Sequence, residues 1–61
     1  MEVKIYSRED CKFCKDAKEF LMGMEMQYEE INQPEGRVPQ IYIDGQHIGG
    51  YTELLEWATA V

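Results

Sequence analysis

The sequence predicts a small two-layer α/β domain with the element order β-α-β-β-β-α. Three observations lead to this fold class. The chain has 61 residues, enough for a single domain over residues 1–61 and too few for a second. Its residues are 44% hydrophobic, which is too rich in core-forming side chains for a disordered chain. Apolar residues recur with strand-like alternation in some segments and with helical spacing in others.

The first strand and the first helix are predicted near the start of the chain. Residues Glu2–Tyr6 alternate between polar and apolar side chains and lead into a polar loop. A helix is expected from about Cys11 to Met22, because apolar residues recur there at helical spacing. We expect Asp10 to cap its start and Gly23 to end it. The expected apolar face consists of Cys14, Ala17 and Leu21, flanked by Phe13, Phe20 and Met24.

Three further strands and a second helix follow. A weak strand is predicted over Gln27–Ile31 and a stronger one over Gln40–Ile43. The stronger strand turns at Asp44-Gly45, a clear hairpin signal, into the short strand Gln46–Ile48. Gly49-Gly50 then opens the last helix. Its expected inward residues are Tyr51, Leu54, Leu55, Ala58 and Val61, and its expected outward residues are Glu53 and Glu56.

The two faces of the predicted sheet differ in polarity. One face is expected to carry Val3, Ile5, Ile41 and Ile43. The opposite face is expected to carry Lys4, Tyr6, Gln40 and Tyr42. The apolar face can receive both helices, whereas the amphipathic face tolerates water. We therefore expect both helices on one face and a second face that is open or used for self-association, giving a monomer or a weak homodimer.

The charge distribution limits the partners of the chain. The formal net charge is −6, and an acidic surface repels phosphate backbones, so we expect no nucleic-acid ligand. Five of the six Lys and Arg residues lie within residues 1–18, which carry a balance of +1, whereas residues 19–61 carry −7. Positive charge is therefore concentrated around the only two cysteines, Cys11 and Cys14.

The sequence also indicates where the protein resides. Its apolar stretches are far shorter than the roughly 20 residues that cross a bilayer. A charged and then apolar leader does not precede the first predicted strand. We expect no membrane association and a cytoplasmic location.

The two cysteines form a Cys-x-x-Cys motif at the predicted start of a helix. The thiolate is the nucleophile in thiol–disulfide exchange, and a free cysteine has a pKa of about 8.5. Helix N-terminal amides favour the anion at Cys11, and Arg8, Lys12 and Lys15 add positive potential. We expect the pKa of Cys11 to be lowered, as in similar settings, to roughly 3.5–7.5. Cys14, on the apolar face, is expected to be a buried thiol that resolves a mixed disulfide formed at Cys11.

Two plainer interpretations of this motif stay open. A structural disulfide between residues three apart closes a very small loop and stabilises little. The pair is also half of a four-ligand zinc site. His47, the only histidine, is expected to be structural or solvated. Redox chemistry is favoured because the motif follows a strand and begins a helix.

Three segments give the chain a resemblance to a known family. They are Cys11-Lys12-Phe13-Cys14, Val38-Pro39-Gln40-Ile41 and Asp44-Gly45-Gln46-His47-Ile48-Gly49-Gly50-Tyr51-Thr52. With these motifs the chain resembles a glutaredoxin over essentially its whole length. The resemblance implies a thioredoxin-like fold with a mixed four-stranded sheet of order 2-1-3-4 and Pro39 in a cis peptide bond. It also implies a thiol–disulfide oxidoreductase that reduces protein disulfides or glutathione-mixed disulfides, with glutathione as reductant and no metal.

The resemblance further implies a glutathione site, position by position. Cys11 would form the mixed disulfide with glutathione, and Phe13 would line it. Val38, before Pro39, would pair through its backbone with the cysteinyl unit. Gly50, Tyr51 and Thr52 would bind the γ-glutamyl carboxylate. Glu53 would contact the γ-glutamyl amine. Arg8 or Arg37 would pair with the other carboxylate of glutathione. A helix N-terminus opened by Gly-Gly suits this role, because it is a ready anion site.

The chain departs from the family pattern in three places. Lys12 replaces the usual Pro after the first Cys, which makes the helix start less rigid and more cationic. Glu53 stands where the family commonly has Asp. The helix between the second and third strands is replaced by about six residues, 32–37. Such a segment reaches up to about 20 Å and has to cross two strand spacings, about 10 Å, so the deletion is compatible with the fold.

Two other functions stay open from the sequence. The chain could be a binding module that holds a [2Fe–2S] cluster between two protomers, with Cys11 and glutathione as ligands. Among relatives, a residue other than Pro after the first Cys is more permissive for such a cluster, and Lys12 fits this. The chain could also be a redoxin recycled by a thioredoxin reductase, although Tyr51-Thr52 favours a γ-glutamyl group.

Overall fold

The computed structural model describes residues 1–60, and its element order is the predicted β-α-β-β-β-α. The strands are β1 (Val3–Ser7), β2 (Glu29–Asn32), β3 (Gln40–Ile43) and β4 (Gln46–Gly49). The helices are α1 (Lys12–Gly23) and α2 (Tyr51–Thr59). Val61, which we expected to face inward, lies outside the described residues.

The strands form one mixed sheet in the order β2-β1-β3-β4, as the resemblance implied. The central strand β1 pairs in parallel with β2 and antiparallel with β3, and β4 pairs antiparallel with β3. Ile5 at the centre of β1 lies opposite Glu30 on one side and Ile41 on the other. The connection from β2 to β3 is short and contains no helix in the described chain.

The hydrophobic core lies between one face of the sheet and both helices. The buried residues that form it are Val3, Ile5, Ile41 and Ile43 from the sheet and Ala17, Leu21 and Leu54 from the helices. The prediction that both helices cover a single face is therefore confirmed. Burying one such Val, Leu or Ile side chain contributes roughly 1.5–3 kcal/mol, so the few fully buried residues dominate the stability of this small chain.

The predicted apolar face of α1 is only partly correct. Cys14, Ala17 and Leu21 are buried, but the side chains of Phe13 and Met24 are 60% and 39% exposed. Gly23 ends the helix, as predicted, but it does not supply the capping conformation. Gly23 is the last helical residue, and the left-handed conformation that reverses the chain falls on Glu25, with φ of 58°.

A polar cluster joins β1, β2 and α1 at the edge of the core. The buried Ser7 hydroxyl donates a hydrogen bond of 2.6 Å to Glu30 Oε2, and Lys18 Nζ lies 2.9 Å from the same oxygen. The Ser7 hydrogen bond, followed by the Lys18 hydrogen bond and charge, lowers the pKa of Glu30. Glu29 lies opposite Lys4 on the other face of the sheet, so the carboxylates of Glu29 and Glu30 point apart.

The face of the sheet opposite the helices carries the predicted amphipathic set. Tyr6 and Tyr42 pack edge to face, with ring centroids 5.6 Å apart, and the Tyr42 ring lies 4.9 Å from that of His47. Self-association through this face stays a prediction. Within residues 1–60, neither helix has the length and apolar character needed to cross a membrane.

Candidate active site

Cys11 occupies the N-cap position of α1 and not Asp10, which we expected there. Cys11 has an extended backbone conformation, with φ of −117° and ψ of 111°. This conformation directs its Sγ to the first turn of the helix, where the sulfur accepts a hydrogen bond of 3.1 Å from the Cys14 amide. Because N-terminal amides lack intrahelical partners, the sulfur takes the role that a carboxylate cap would otherwise fill.

The two sulfurs of the motif differ in accessibility. They are joined in a disulfide, so the structure represents the oxidised state of the pair. Cys14 is 0% exposed in the core, whereas Cys11 is partly exposed at the helix end. An incoming thiolate can therefore approach the Cys11 sulfur and not the Cys14 sulfur. This asymmetry agrees with the predicted division between an attacking and a resolving cysteine.

The loop before β3 forms the wall next to Cys11. The Val38–Pro39 peptide bond is cis, as the resemblance implied, and Pro39 is buried. The carbonyl oxygen of Val38 lies 3.8 Å from Cys11 Sγ. The backbone of Val38 thus borders the reactive sulfur directly, where it can pair with the backbone of a peptide attached to that sulfur.

A surface cavity of about 240 Å³ lies beside this wall. Its lining residues are Phe13, Arg37, Val38, Pro39, Gln40, Gly50, Tyr51, Thr52 and Glu53. The cavity lining therefore includes every residue that the resemblance implied for glutathione except Arg8 and Cys11, and the Cys11 sulfur lies next to the lining residue Val38. The roles of these residues stay predictions. The Phe13 ring stacks on that of Tyr51, with centroids 6.2 Å apart, and so joins the first turns of the two helices.

Opposite charges line the cavity at Arg37 and Glu53. Glu53 is exposed, as predicted, but its side chain folds back to the start of its own helix. Its Oε1 accepts a hydrogen bond of 2.7 Å from the amide of Gly50, the N-cap of α2. The next amides of α2 have no intrahelical partners, so this helix end still offers donors to an anion.

The three cations expected to activate Cys11 are not equivalent. Lys12 and Lys15 are exposed in the first turn of α1, where their charges lie near the motif. The guanidinium of Arg8 instead donates to two carbonyl groups of the β2–β3 connection: Nε to Gln33, at 3.2 Å, and Nη2 to Gly36. Arg8 does not line the cavity.

Sequence reasoning missed the contributions of Gln33 and Gln40. Gln40 lines the cavity, and the side-chain amides of both residues donate to the Arg37 carbonyl oxygen, at 3.2 and 3.1 Å. The sequence carries no signal for these contacts, because glutamine is common on polar loops and strand ends. Among the described residues, no group of three or more His, Cys, Asp and Glu side chains is arranged to hold a metal ion.

The arrangement defines a class of protein. A partly exposed sulfur caps a helix, a buried partner sulfur lies one turn further on, and a cis-proline loop borders the exposed sulfur. On this sheet topology, such a site belongs to the thiol–disulfide oxidoreductases of the thioredoxin fold.

Comparisons with known proteins agree with this class and narrow it. The glutaredoxin family model matches residues 3–33. Glutaredoxin 3 of Escherichia coli K12 is 38% identical over 66 residues, which cover 85% of this chain and 80% of that protein. The chain belongs to the glutaredoxin family.

Solved structures show the same fold. Glutaredoxin 1 from Francisella tularensis superimposes with a TM-score of 0.87 at 31% identity, covering 97% of this chain and 93% of that one. A buckwheat glutaredoxin–glutathione complex gives a TM-score of 0.85 over 95% of this chain and 68% of that one. At 20% identity, the second likeness shows the fold alone. The predicted thioredoxin-like fold is confirmed.

Proposed function

We propose that the protein is a cytoplasmic, glutathione-dependent oxidoreductase that reduces protein disulfides or glutathione-mixed disulfides. The observation that carries this proposal is the cavity beside the accessible Cys11 sulfur. Its walls offer backbone groups, one cation and a helix N-terminus within a single depression of about 240 Å³. A small zwitterionic peptide thiol needs such a set of partners.

The walls of the cavity suit the parts of glutathione in turn. The Val38 backbone borders Cys11 Sγ and can pair with the cysteinyl unit. The free amides at the start of α2, from Tyr51 and Thr52, can bind the γ-glutamyl carboxylate. Glu53 lines the same cavity and can take the γ-glutamyl amine, while the exposed Arg37 can pair with the other carboxylate. The buckwheat protein, whose structure contains glutathione, shares this fold.

The proposed reaction consists of balanced thiol–disulfide exchanges. The Cys11 thiolate attacks the substrate disulfide, forms a mixed disulfide and expels one substrate thiolate. Cys14 then attacks Cys11 Sγ, which releases the second substrate thiolate and leaves the disulfide seen in the structure. One glutathione thiolate attacks Cys11 Sγ and frees Cys14. A second attacks the glutathione sulfur, so that oxidised glutathione leaves and both cysteines are reduced.

A glutathione-coupled reductase assay on three proteins tests this proposal. The wild-type protein should reduce a glutathione-mixed disulfide, and Cys11→Ser should be inactive because the accessible nucleophile is lost. Cys14→Ser should keep activity on the glutathione-mixed disulfide, since a second glutathione can replace the resolving thiol. Full activity of Cys11→Ser would refute the assignment.

The same proteins separate the two alternatives. If a thioredoxin reductase recycles the wild-type disulfide faster than glutathione does, the reductant is misassigned. The [2Fe–2S] alternative requires a second protomer and predicts a coloured dimer after anaerobic reconstitution with iron, sulfide and glutathione. A colourless monomer would count against it.

A further inference from the structure

The connection between β2 and β3, residues 33–39, is held mainly by side-chain hydrogen bonds. In a helix, backbone groups satisfy one another, but this short connection has carbonyl groups that need other donors. The backbone amide of Gln33 donates to the Ser7 carbonyl oxygen at 2.8 Å, and this bond anchors the start of the connection to the end of β1. Beyond that point, the contacts come from side chains.

Arg8 supplies two of these contacts from the residue that follows β1. Its Nε and Nη2 groups reach the carbonyl groups of Gln33 and Gly36, which lie 25 and 28 residues further along the chain. The planar guanidinium presents its donors in a fixed fork, so it can hold two carbonyl groups at once, whereas a lysine ammonium acts as a point charge. Arg8 is half-buried, and its Nε contact is partly shielded from water.

A second set of contacts fixes the next residue, Arg37, through its backbone. The side-chain amides of Gln33 and Gln40 both donate to the Arg37 carbonyl oxygen. Because the Gln40 amide nitrogen is the donor in that contact, its Oε1 accepts the hydrogen bond of 2.6 Å from His47 Nε2. A series of hydrogen bonds therefore links His47 on β4, through Gln40, to the backbone of Arg37 in the cavity wall.

We propose that Arg8 is a positioning residue: its two-carbonyl fork holds residues 33–36 and thereby places Arg37 and Val38 in the glutathione-binding wall. Its geometry, and not its positive charge near Cys11, is what the site requires. The two hydrogen bonds from Arg8 fix the backbone of this connection, as the hydrogen bonds of a helix would. Only the kinetic part of its test rests on the proposed function.

The test compares two substitutions that separate geometry from charge. Arg8→Lys keeps the charge and removes the fork, while Arg8→Gln removes both. Lys15→Gln serves as a charge control, because Lys15 is an exposed cation in the first turn of α1. Three experiments are done on each protein. Steady-state kinetics give KM and kcat for glutathione, thiolate absorbance gives the pKa of Cys11, and NMR gives the hydrogen-exchange rate of the Gln33 backbone amide.

Both Arg8 variants should raise KM for glutathione on the order of tenfold, equivalent to about 1.4 kcal/mol, with a much smaller change in kcat. Both should also accelerate exchange of the Gln33 amide. The pKa of Cys11 should stay unchanged in Arg8→Lys and should change less in Arg8→Gln than in Lys15→Gln.

The proposal would be overturned if Arg8→Lys had the same KM for glutathione and the same exchange rate of the Gln33 backbone amide as the wild-type protein. An Arg8→Gln variant that raises the pKa of Cys11 more than Lys15→Gln does would also overturn it, because the charge would then be the active property. If the wild-type protein does not turn over glutathione, the proposed function fails. The exchange and titration results still decide the role of Arg8 in that case.

Discussion

Replacing Gly49 with alanine tests how the last strand shapes the cavity. Gly49 ends β4 with a φ of +128°, and it precedes the Gly50 N-cap of α2. A Cβ atom at this position would lie 2.7 Å from Glu53 Cγ and 2.8 Å from Glu53 Cβ. These atoms sit at the base of the side chain and cannot swing away freely. Alanine must therefore displace Glu53 and break its hydrogen bond to the Gly50 amide.

The expected loss of stability has two parts. A non-glycine residue at positive φ costs about 1–2 kcal/mol, and losing the Gly50–Glu53 hydrogen bond adds about 1 kcal/mol. The sum, about 2–3 kcal/mol, is a large share of the roughly 3–9 kcal/mol expected for a chain of this length. Gly45→Ala is the matched control. Gly45 has φ of +81°, but its Cβ would meet no atom within 4 Å, so only the backbone part applies.

Urea unfolding of the oxidised proteins and the KM for glutathione provide the measurements. Gly49→Ala should lose more stability than Gly45→Ala and should also raise KM, because the start of α2 shifts. Gly45→Ala should leave KM unchanged, since its turn lies outside the cavity lining. Equal stability losses in the two variants, together with an unchanged KM in Gly49→Ala, would refute this reasoning.

Three further predictions follow from the core, the polar cluster and the cavity. Leu54→Ala should cost about 3–5 kcal/mol in urea unfolding and the half-buried Leu55→Ala clearly less, because Leu54 is fully buried. The pKa of Glu30 is lower in the folded protein than its ordinary value of 4.5, so the ionised carboxylate stabilises the fold when the pH is above 4.5. This contribution disappears as the pH falls through the folded-state pKa. Glu30→Gln should therefore lower stability at pH 7, by at most about 1 kcal/mol after discounting for solvent screening, and by progressively less as the pH falls below 4.5; an equal loss at every pH would contradict this. Phe13→Ala should raise KM for glutathione severalfold with little change in stability, since the ring is exposed; an unchanged KM would count against its binding role.

Local patterns predicted the order of the elements and the fully buried part of the core. Alternation in β1 and β3 placed Ile5 and Ile41 on one face, and in the structure both lie on the core face, opposite each other in neighbouring strands. Helical spacing identified Leu21 and Leu54 as core residues. These features depend on the side-chain periods of strands and helices, which the sequence displays directly.

Features that depend on distant contacts were not predictable in the same way. Arg8 lies three residues before Cys11, so a local interpretation gives it an electrostatic role. Its hydrogen-bond partners are 25 and 28 residues away, and no spacing in the sequence indicates them. The N-cap of α1 was also not predictable from the sequence. Asp10 and Cys11 both have a side-chain acceptor, and the extended backbone conformation of Cys11 makes it the N-cap.

The most direct test of the account asks which sulfur reacts. Reduced wild-type, Cys11→Ser and Cys14→Ser proteins are exposed briefly to oxidised glutathione at neutral pH, and intact mass spectrometry counts the adducts. Cys14→Ser should gain one glutathionyl group on Cys11, and Cys11→Ser should gain none, because Cys14 is fully enclosed by the core. A glutathionyl adduct on Cys14 in the Cys11→Ser protein, formed as fast as that on Cys11, would contradict the assignment of the two cysteines.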